Sequence, residues 1–313
     1  MQVDGCEFLV DAATKFHRAL HVWGWFHHPH DRLVAVTINH PDIKVADCEV
    51  GLPHGGVEPV WGPNRGFRID ALLNKSVFPD DAEVIFETDS DRTICVTLAE
   101  LRRERIERMR SLGLFRDFRK EVQCSGRAKL LDIGGRDRSN RSDGGIFSPI
   151  EPTVLDIVAG PDVDVVGDAH RLSSIFEPEQ FDFVHSASVF EHLIMPWLVV
   201  LEMNIVMKTG AKAFISTHQT LGIHDAPWDF YRFSETAWDG LFNSETGFEI
   251  LERQGDFETF VIPSLFREGK ENAEGSVGHE ASSVLVRKTG PSALKWDVDV
   301  ETILTTAYPT NVD

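Results

Sequence analysis

The chain has 313 residues, 42% of them hydrophobic, and sets 50 acidic side chains against 31 basic ones for a formal charge of -19. That apolar content supports a packed core and excludes global disorder, and the length suits one large domain with a smaller companion. The acidic excess opposes general attraction to nucleic acid or anionic membranes, so a small molecule or a glycan is the expected substrate.

The N-terminus lacks a basic segment followed by an apolar core, and no later stretch is long and apolar enough to span a bilayer, so a soluble, cytoplasmic protein is expected. Cys6, Cys48, Cys95 and Cys124 lie far apart and form no CxxC pair, which predicts free thiols and no disulfide framework. Over residues 1–97, Gly, Pro, Asn and Asp separate short apolar or alternating runs, among them 33–37, 67–69, 84–87 and 93–97. Such runs predict a β-sandwich-like accessory domain. Trp23, Trp25 and Trp61 are expected in its core, and His27, His28 and His30 in a polar turn.

Between 98 and 120, Leu98, Leu101, Ile106, Met109, Leu112 and Phe115 recur among Arg and Glu residues as in an amphipathic helical linker, with Gly113 breaking or capping it. From 121 to 290 the pattern becomes α/β. Apolar runs at 130–133, 154–158, 181–184 and 213–216 read as strands, and 190–207 has helical spacing. Runs near 248–251 and 283–286 supply late strands, and 291–313, with Pro291 and Pro309, reads as a loose tail. Strands alternating with helices imply a parallel sheet whose ligands bind beyond the carboxyl ends of the strands.

The most informative segment is Leu131-Asp132-Ile133-Gly134-Gly135-Arg136-Asp137. Two glycines stand where a buried strand must turn, letting the backbone approach a ligand closely. Asp156 falls in the next apolar run, where a strand-end carboxylate can accept both ribose hydroxyls. Asp168, in Gly167-Asp168-Ala169-His170, could accept from an adenine amino group. Each aspartate alone reads equally as a turn or cap residue; in series after consecutive strands they suggest a nucleoside site. A dinucleotide-dependent oxidoreductase is the rival, but the loop lacks GxGxxG.

From Leu131 to about Gly255 the chain resembles the class I S-adenosylmethionine (SAM)-dependent methyltransferases, in particular the broad group that includes the ubiquinone and menaquinone biosynthetic enzymes. The resemblance is carried by Asp132 to Arg136, Asp156, Asp168-Ala169, Phe181 to Val184, Glu191-His192 and Lys208 to Gly210. It implies a Rossmann-like domain, SAM as cofactor, and contacts from Asp132, Gly134, Gly135, Arg136, Asp156, Asp168 and Ala169. The family loop carries a further glycine where this chain has Arg136, followed by the polar residues Asp137, Arg138, Ser139 and Asn140. Arg136 either approaches the methionine carboxylate or obstructs the pocket.

His192, after the fourth strand, is the first candidate general base, with ordering of the cofactor loop as its equal alternative. A second cluster holds His218, His224, Asp225, Trp228, Asp229, Tyr231 and Arg232. Trp228 and Tyr231 could stack on a sugar while Asp229 and Arg232 hold its hydroxyls; the competing reading is a lid packed on its own small core. His224 is the second candidate base. His218, His224 and Asp225 are metal-ligating types, but no compact motif fixes their geometry, so no metal is expected. The leading expectation is an O-methyltransferase of a small molecule, sugar or glycan. The alternatives are a SAM-binding protein without turnover and a glycan-binding or assembly protein, with the N-terminal domain serving a protein partner or self-association.

Overall fold

A computed structural model describes residues 2, 3, 5–111, 113–136, 145–262, 277–304, 306 and 308. Asp137, Arg138, Ser139 and Asn140, together with Leu112 and Pro309, lie outside the described residues. The chain divides into two compact units, Met1–Leu112 and Gly113–Asp313.

The first unit is built from β1 (Gln2–Val3), β2 (Cys6–Phe16), β3 (Ala19–His27), β4 (Leu33–Asn39), β5 (Ile43–Leu52), β6 (Gly66–Leu73), β7 (Glu83–Thr88) and β8 (Thr93–Thr97), with a short α1 (Glu58–Trp61) before β6 and α2 (Leu98–Ser111) at its end. Two antiparallel sheets form, in the orders β1-β2-β3-β6-β5 and β4-β7-β8. Alternation along the strands sends Phe8, Phe26, Phe67 and Phe86 into one core, with ring centroids 5.1 Å apart for Phe8–Phe86 and for Phe67–Phe86. The unit is therefore a β-sandwich. Trp25 is buried against the half-buried Trp61, centroids 4.7 Å apart, while Trp23 is half-buried outside that cluster. His28 sits in a polar turn, where its Nδ1 accepts from the Asp31 amide at 3.0 Å.

The segment expected as one helical linker is two helices. A capping box starts α2: the Thr97 amide donates to the Glu100 carboxylate at 2.7 Å, and the Glu100 amide to the Thr97 hydroxyl at 3.2 Å. In the second unit, Gly113 in extended conformation caps α3 (Leu114–Cys124), whose Leu114, Phe118 and Val122 are buried.

The second unit continues with β9 (Leu130–Ile133), β10 (Thr153–Asp156), β11 (Val165–Val166), α4 (Leu172–Ile175), β12 (Phe181–Ala187), α5 (Pro196–Val206), β13 (Met207–His218), α6 (Ala237–Leu241), β14 (Phe248–Phe260), β15 (Val277–Lys288) and α7 (Val300–Ile303). Its single sheet has the order β11-β10-β9-β12-β13-β15-β14. The first five are mutually parallel, and β15 runs against both its neighbours. One face is covered by α4, α5 and α6 around Phe181, Val199, Met203 and Trp238; the other is covered by α3 with Phe147 and Ile150. The Lys208–Gly210 turn lies inside β13, where the pairing with β12 shifts register and Gly210 takes φ +87°.

The predicted helix 190–207 begins later than its apolar spacing suggests, since residues 190–192 form a single 3-10 turn before Pro196 opens α5. The C-terminal segment, expected to be loose, packs on the same unit: Val300 is buried, Arg171 pairs with Asp299 and Glu301, and Trp296 meets Trp197 edge-on with centroids 5.5 Å apart.

Candidate active site

The chain leaves β9 toward β10 on one side, then returns to place β12 on the other, so a crevice opens beyond the carboxyl ends of β9 and β12. This reversal of strand order is where open α/β sheets bind ligands. A cleft partly open to solvent occupies it, lined by Gly134, Arg136, Asp156, Asp168, Ala169 and His192 among others.

Gly134 turns the chain out of β9 at φ +75°, and its amide donates to the Leu155 carbonyl at 2.7 Å. A Cβ there would stand 2.2 Å from Val189 Cγ2, so both the backbone angle and the close approach of the β12 loop require glycine. Gly135 is held to glycine from below: its Cβ would lie 2.5 Å from Asp132 Oδ2. Asp132 itself is buried under the loop, its Oδ1 paired with His185 Nδ1 at 2.7 Å. Neither Asp132 nor Gly135 lines the cleft; both support the turn that does.

Asp156 ends β10 in the cleft wall, and its Oδ1 accepts from the Val158 amide at 2.8 Å. Arg136 Nε lies 3.4 Å from that same oxygen, without a well-aligned hydrogen bond. Asp168 follows β11 and caps the next 3-10 turn, its Oδ1 accepting from the His170 amide at 2.9 Å and pairing with His170 Nδ1 at 2.7 Å. Burial opposes ionisation of Asp168, but the His170 donors outweigh it and hold the carboxyl below its ordinary range. His170 Nε2 in turn accepts from the Met195 amide, which fixes the ring's tautomer.

His192 is buried in the cleft wall. Its Nδ1 is bonded to the Trp228 carbonyl, 2.5 Å away, so Nδ1 carries the proton and Nε2 keeps its lone pair. His224 does not line the cleft. It joins His218 around Glu191, a side chain with no solvent exposure. Burial pushes the His218 imidazole down, with the Glu191 charge opposing it and His224 reinforcing it. Glu191 was legible only as half of the Glu-His pair; nothing in the spacing announced that His218 and His224 would converge on it.

The expected acceptor loop is mostly self-satisfied. Asp229 and Arg232 form a two-pronged pair, at 2.5 and 2.8 Å, and Arg232 also donates to the carbonyls of Leu221, Gly222 and Tyr231. The Arg232 hydrogen bonds hold the Asp229 carboxyl down to about 2. The Tyr231 hydroxyl donates to the Ile194 carbonyl. Of the four residues expected to grip a sugar, only Trp228 reaches the cleft, together with Tyr308 from the C-terminal segment.

Residues 150–215, which run from the loop before β10 into β13 and contain Asp156, Asp168 and His192, match the family model described as "Methyltransferase domain". The strand order, with the third, second, first, fourth and fifth strands followed by the seventh and sixth, and only the seventh reversed, is the arrangement that goes with it. The second unit has a class I methyltransferase-like fold. Solved structures similar to the chain include a SAM-dependent methyltransferase from Archaeoglobus fulgidus, 16% identical, covering 54% of this chain and 94% of that one with a TM-score of 0.39. Another is the Burkholderia thailandensis 1,6-didemethyltoxoflavin-N1-methyltransferase, 16% identical over 68% of this chain and 98% of that one, TM-score 0.38. A SAM-dependent methyltransferase from Aquifex aeolicus is 15% identical over 55% and 87%, TM-score 0.34. No curated protein sequence matches the chain. The assignment of the methyltransferase-like unit rests on its own topology and the matched segment. The narrower likeness to quinone-biosynthetic enzymes finds no support among these matches.

Proposed function

We propose that the methyltransferase-like unit binds SAM in the cleft and transfers its methyl group to a hydroxyl of a small molecule, a sugar or a glycan. The observation that carries this reading is the series Gly134, Asp156 and Asp168 around one crevice at the reversal of strand order. The residues present fit a nucleoside cofactor: Gly134, at positive φ, brings loop backbone to the cleft wall beside two carboxylates able to accept from hydroxyl and amino groups. Asp156 would accept the ribose hydroxyls and Asp168 the adenine amino group, with Ala169 flanking the ring. Arg136 would yield its place beside Asp156 and turn to the cofactor's carboxylate.

When bound, SAM supplies an activated methyl group and a neutral thioether as leaving group. The protein's task is then to orient the acceptor and remove one proton. His192 Nε2 takes that proton from the acceptor hydroxyl, and the Trp228 carbonyl stabilises the resulting imidazolium through Nδ1. His224, set away from the cleft lining, has no part in this step. The first unit, a sandwich to which no catalytic constellation is assigned among the described residues, serves as a binding or assembly module in this reading.

Calorimetric titration with SAM and S-adenosylhomocysteine tests the cofactor assignment. Saturable binding that weakens at least about tenfold in Asp156→Ala is expected, since two charge-assisted bonds worth roughly 1.5–3 kcal/mol each are lost. Absence of binding by the folded, ligand-free protein would overturn the reading. A second reading, SAM binding without turnover, is favoured by the position of Arg136 beside Asp156; saturable SAM binding by the native chain with no methyl transfer above background across a screen of hydroxyl acceptors would support it.

A further inference from the structure

Glu191 presents a problem that the methyl-transfer reading leaves untouched. Its carboxylate has no solvent exposure, and Oε2 accepts a hydrogen bond from the Thr217 hydroxyl, yet Oε1 has no hydrogen-bond donor. A buried anionic oxygen left bare is strongly unfavourable, so native structures pair such atoms. Three imidazole nitrogens surround it instead: His218 Nε2 at 3.2 Å, His192 Nε2 at 3.8 Å and His224 Nε2 at 3.9 Å. The nearby fixed cation, Arg232, attracts Glu191 at a distance but gives Oε1 no hydrogen bond, because its donors go to Asp229 and to three backbone carbonyls.

We propose that Glu191 Oε1, His218 Nε2 and His224 Nε2 bind a divalent transition-metal ion of the zinc class. The three ligand atoms lie within 4.8 Å of one another. Around an ion with bonds of about 2.0–2.2 Å, neighbouring ligands stand roughly 3.3–3.6 Å apart, so small side-chain adjustments close the site. Two imidazoles and one carboxylate select zinc, cobalt, manganese or iron over magnesium or calcium, which take oxygen donors.

The outer shell is in place for His224 and Glu191, whereas His218 Nδ1 is buried without a hydrogen-bond partner. His224 Nδ1 is bonded to the Gly222 carbonyl at 3.1 Å, which leaves Nε2 as the lone-pair nitrogen facing Glu191. The Glu191 carbonyl accepts from the amides of Phe230 and Tyr231, at 2.8 and 3.2 Å, which fixes the turn that carries the carboxylate. A second grouping, His192, His224 and Asp229, is less suited, because both Asp229 oxygens are already held by Arg232. His192 lines the cleft while its Nε2 lies beside Glu191, so the ion would sit just behind the cleft wall.

The site is independent of the cofactor, and its test omits SAM. The full chain, stripped with a chelator and dialysed, is titrated with Zn2+ by calorimetry and with Co2+ by visible absorption, and Mg2+ serves as the comparison. One equivalent of Zn2+ is expected, with Co2+ giving ligand-field bands of a low-coordinate site and Mg2+ giving no saturation. His224→Ala, at a partly exposed position that tolerates truncation, should weaken Zn2+ at least about tenfold and abolish the cobalt bands. Glu191→Gln should do the same, whereas His40→Ala, in the first unit, should change neither. Failure of the native chain to bind Zn2+, or equal binding by the native chain and His224→Ala, overturns the proposal.

Discussion

At the scale of single residues, Gly134 carries the heaviest constraint. Its positive φ and the 2.2 Å approach to Val189 act together, so Gly134→Ala must displace the β12 loop or unwind the turn. SAM affinity should fall by more than about tenfold with little change in far-ultraviolet circular dichroism, because the loop and not the sheet absorbs the strain. Asp229 makes a different prediction. Its carboxyl, ordinarily near 3.8, is held to about 2 by Arg232, so the pair's stabilisation is complete above 3.8 and is lost as pH falls through about 2. Arg232→Ala should therefore lower the thermal midpoint more at pH 5 than near pH 2, the loss remaining at pH 2 being that of its three carbonyl bonds and the still-ionised fraction of the pair, as scanning calorimetry at the two values would show. The glycine turn and the two aspartates were legible because strand-end chemistry restricts residue type. The placement of Asp132 below the loop was not, since it depends on the partner His185 from another strand.

At the scale of elements, the sequence was most readable where periodicity and burial agree. Strand β9 covers the same residues as its apolar run, and all four are buried. The 98–120 stretch reads as one helix because its apolar spacing survives the break; the capping box at Thr97 and the extended Gly113 show where each of the two helices actually begins. The two-residue β11 is too short to leave a pattern. The Asp229–Arg232 pair was visible, but a side chain's choice between a ligand and its own loop is set by carbonyls that come from elsewhere in the backbone. Packing at α6 offers a quantitative check. Trp238 is fully buried, stacks on Phe233 with centroids 5.2 Å apart, and donates to the Ser282 hydroxyl at 3.2 Å. Trp238→Ala should cost about 3–5 kcal/mol in denaturant unfolding.

At the scale of the molecule, the division into a sandwich and an α/β unit follows from two hydrophobic rhythms in one chain, of period two before residue 98 and of mixed period after it. On the proposed reading, the cleft's positioning groups are Asp156 and Asp168, set to meet hydroxyl and amino donors. What composition could not reveal was the route of the final segment, whose Tyr308 hydroxyl donates to Asp225 at 3.1 Å and whose ring joins the cleft wall. That wall has an optical consequence. Trp228, one of seven tryptophans, faces the cleft with its ring edge-on to Tyr308, 5.4 Å between centroids, and its indole N–H donating to Thr306. Indole emission responds to local polarity and to nearby quenching groups, so filling the crevice should shift or dim the intrinsic fluorescence, and Trp228→Phe should erase that signal while binding persists in calorimetry. The fold thus carries its own reporter, placed where the occupancy of the crevice can be read without a label.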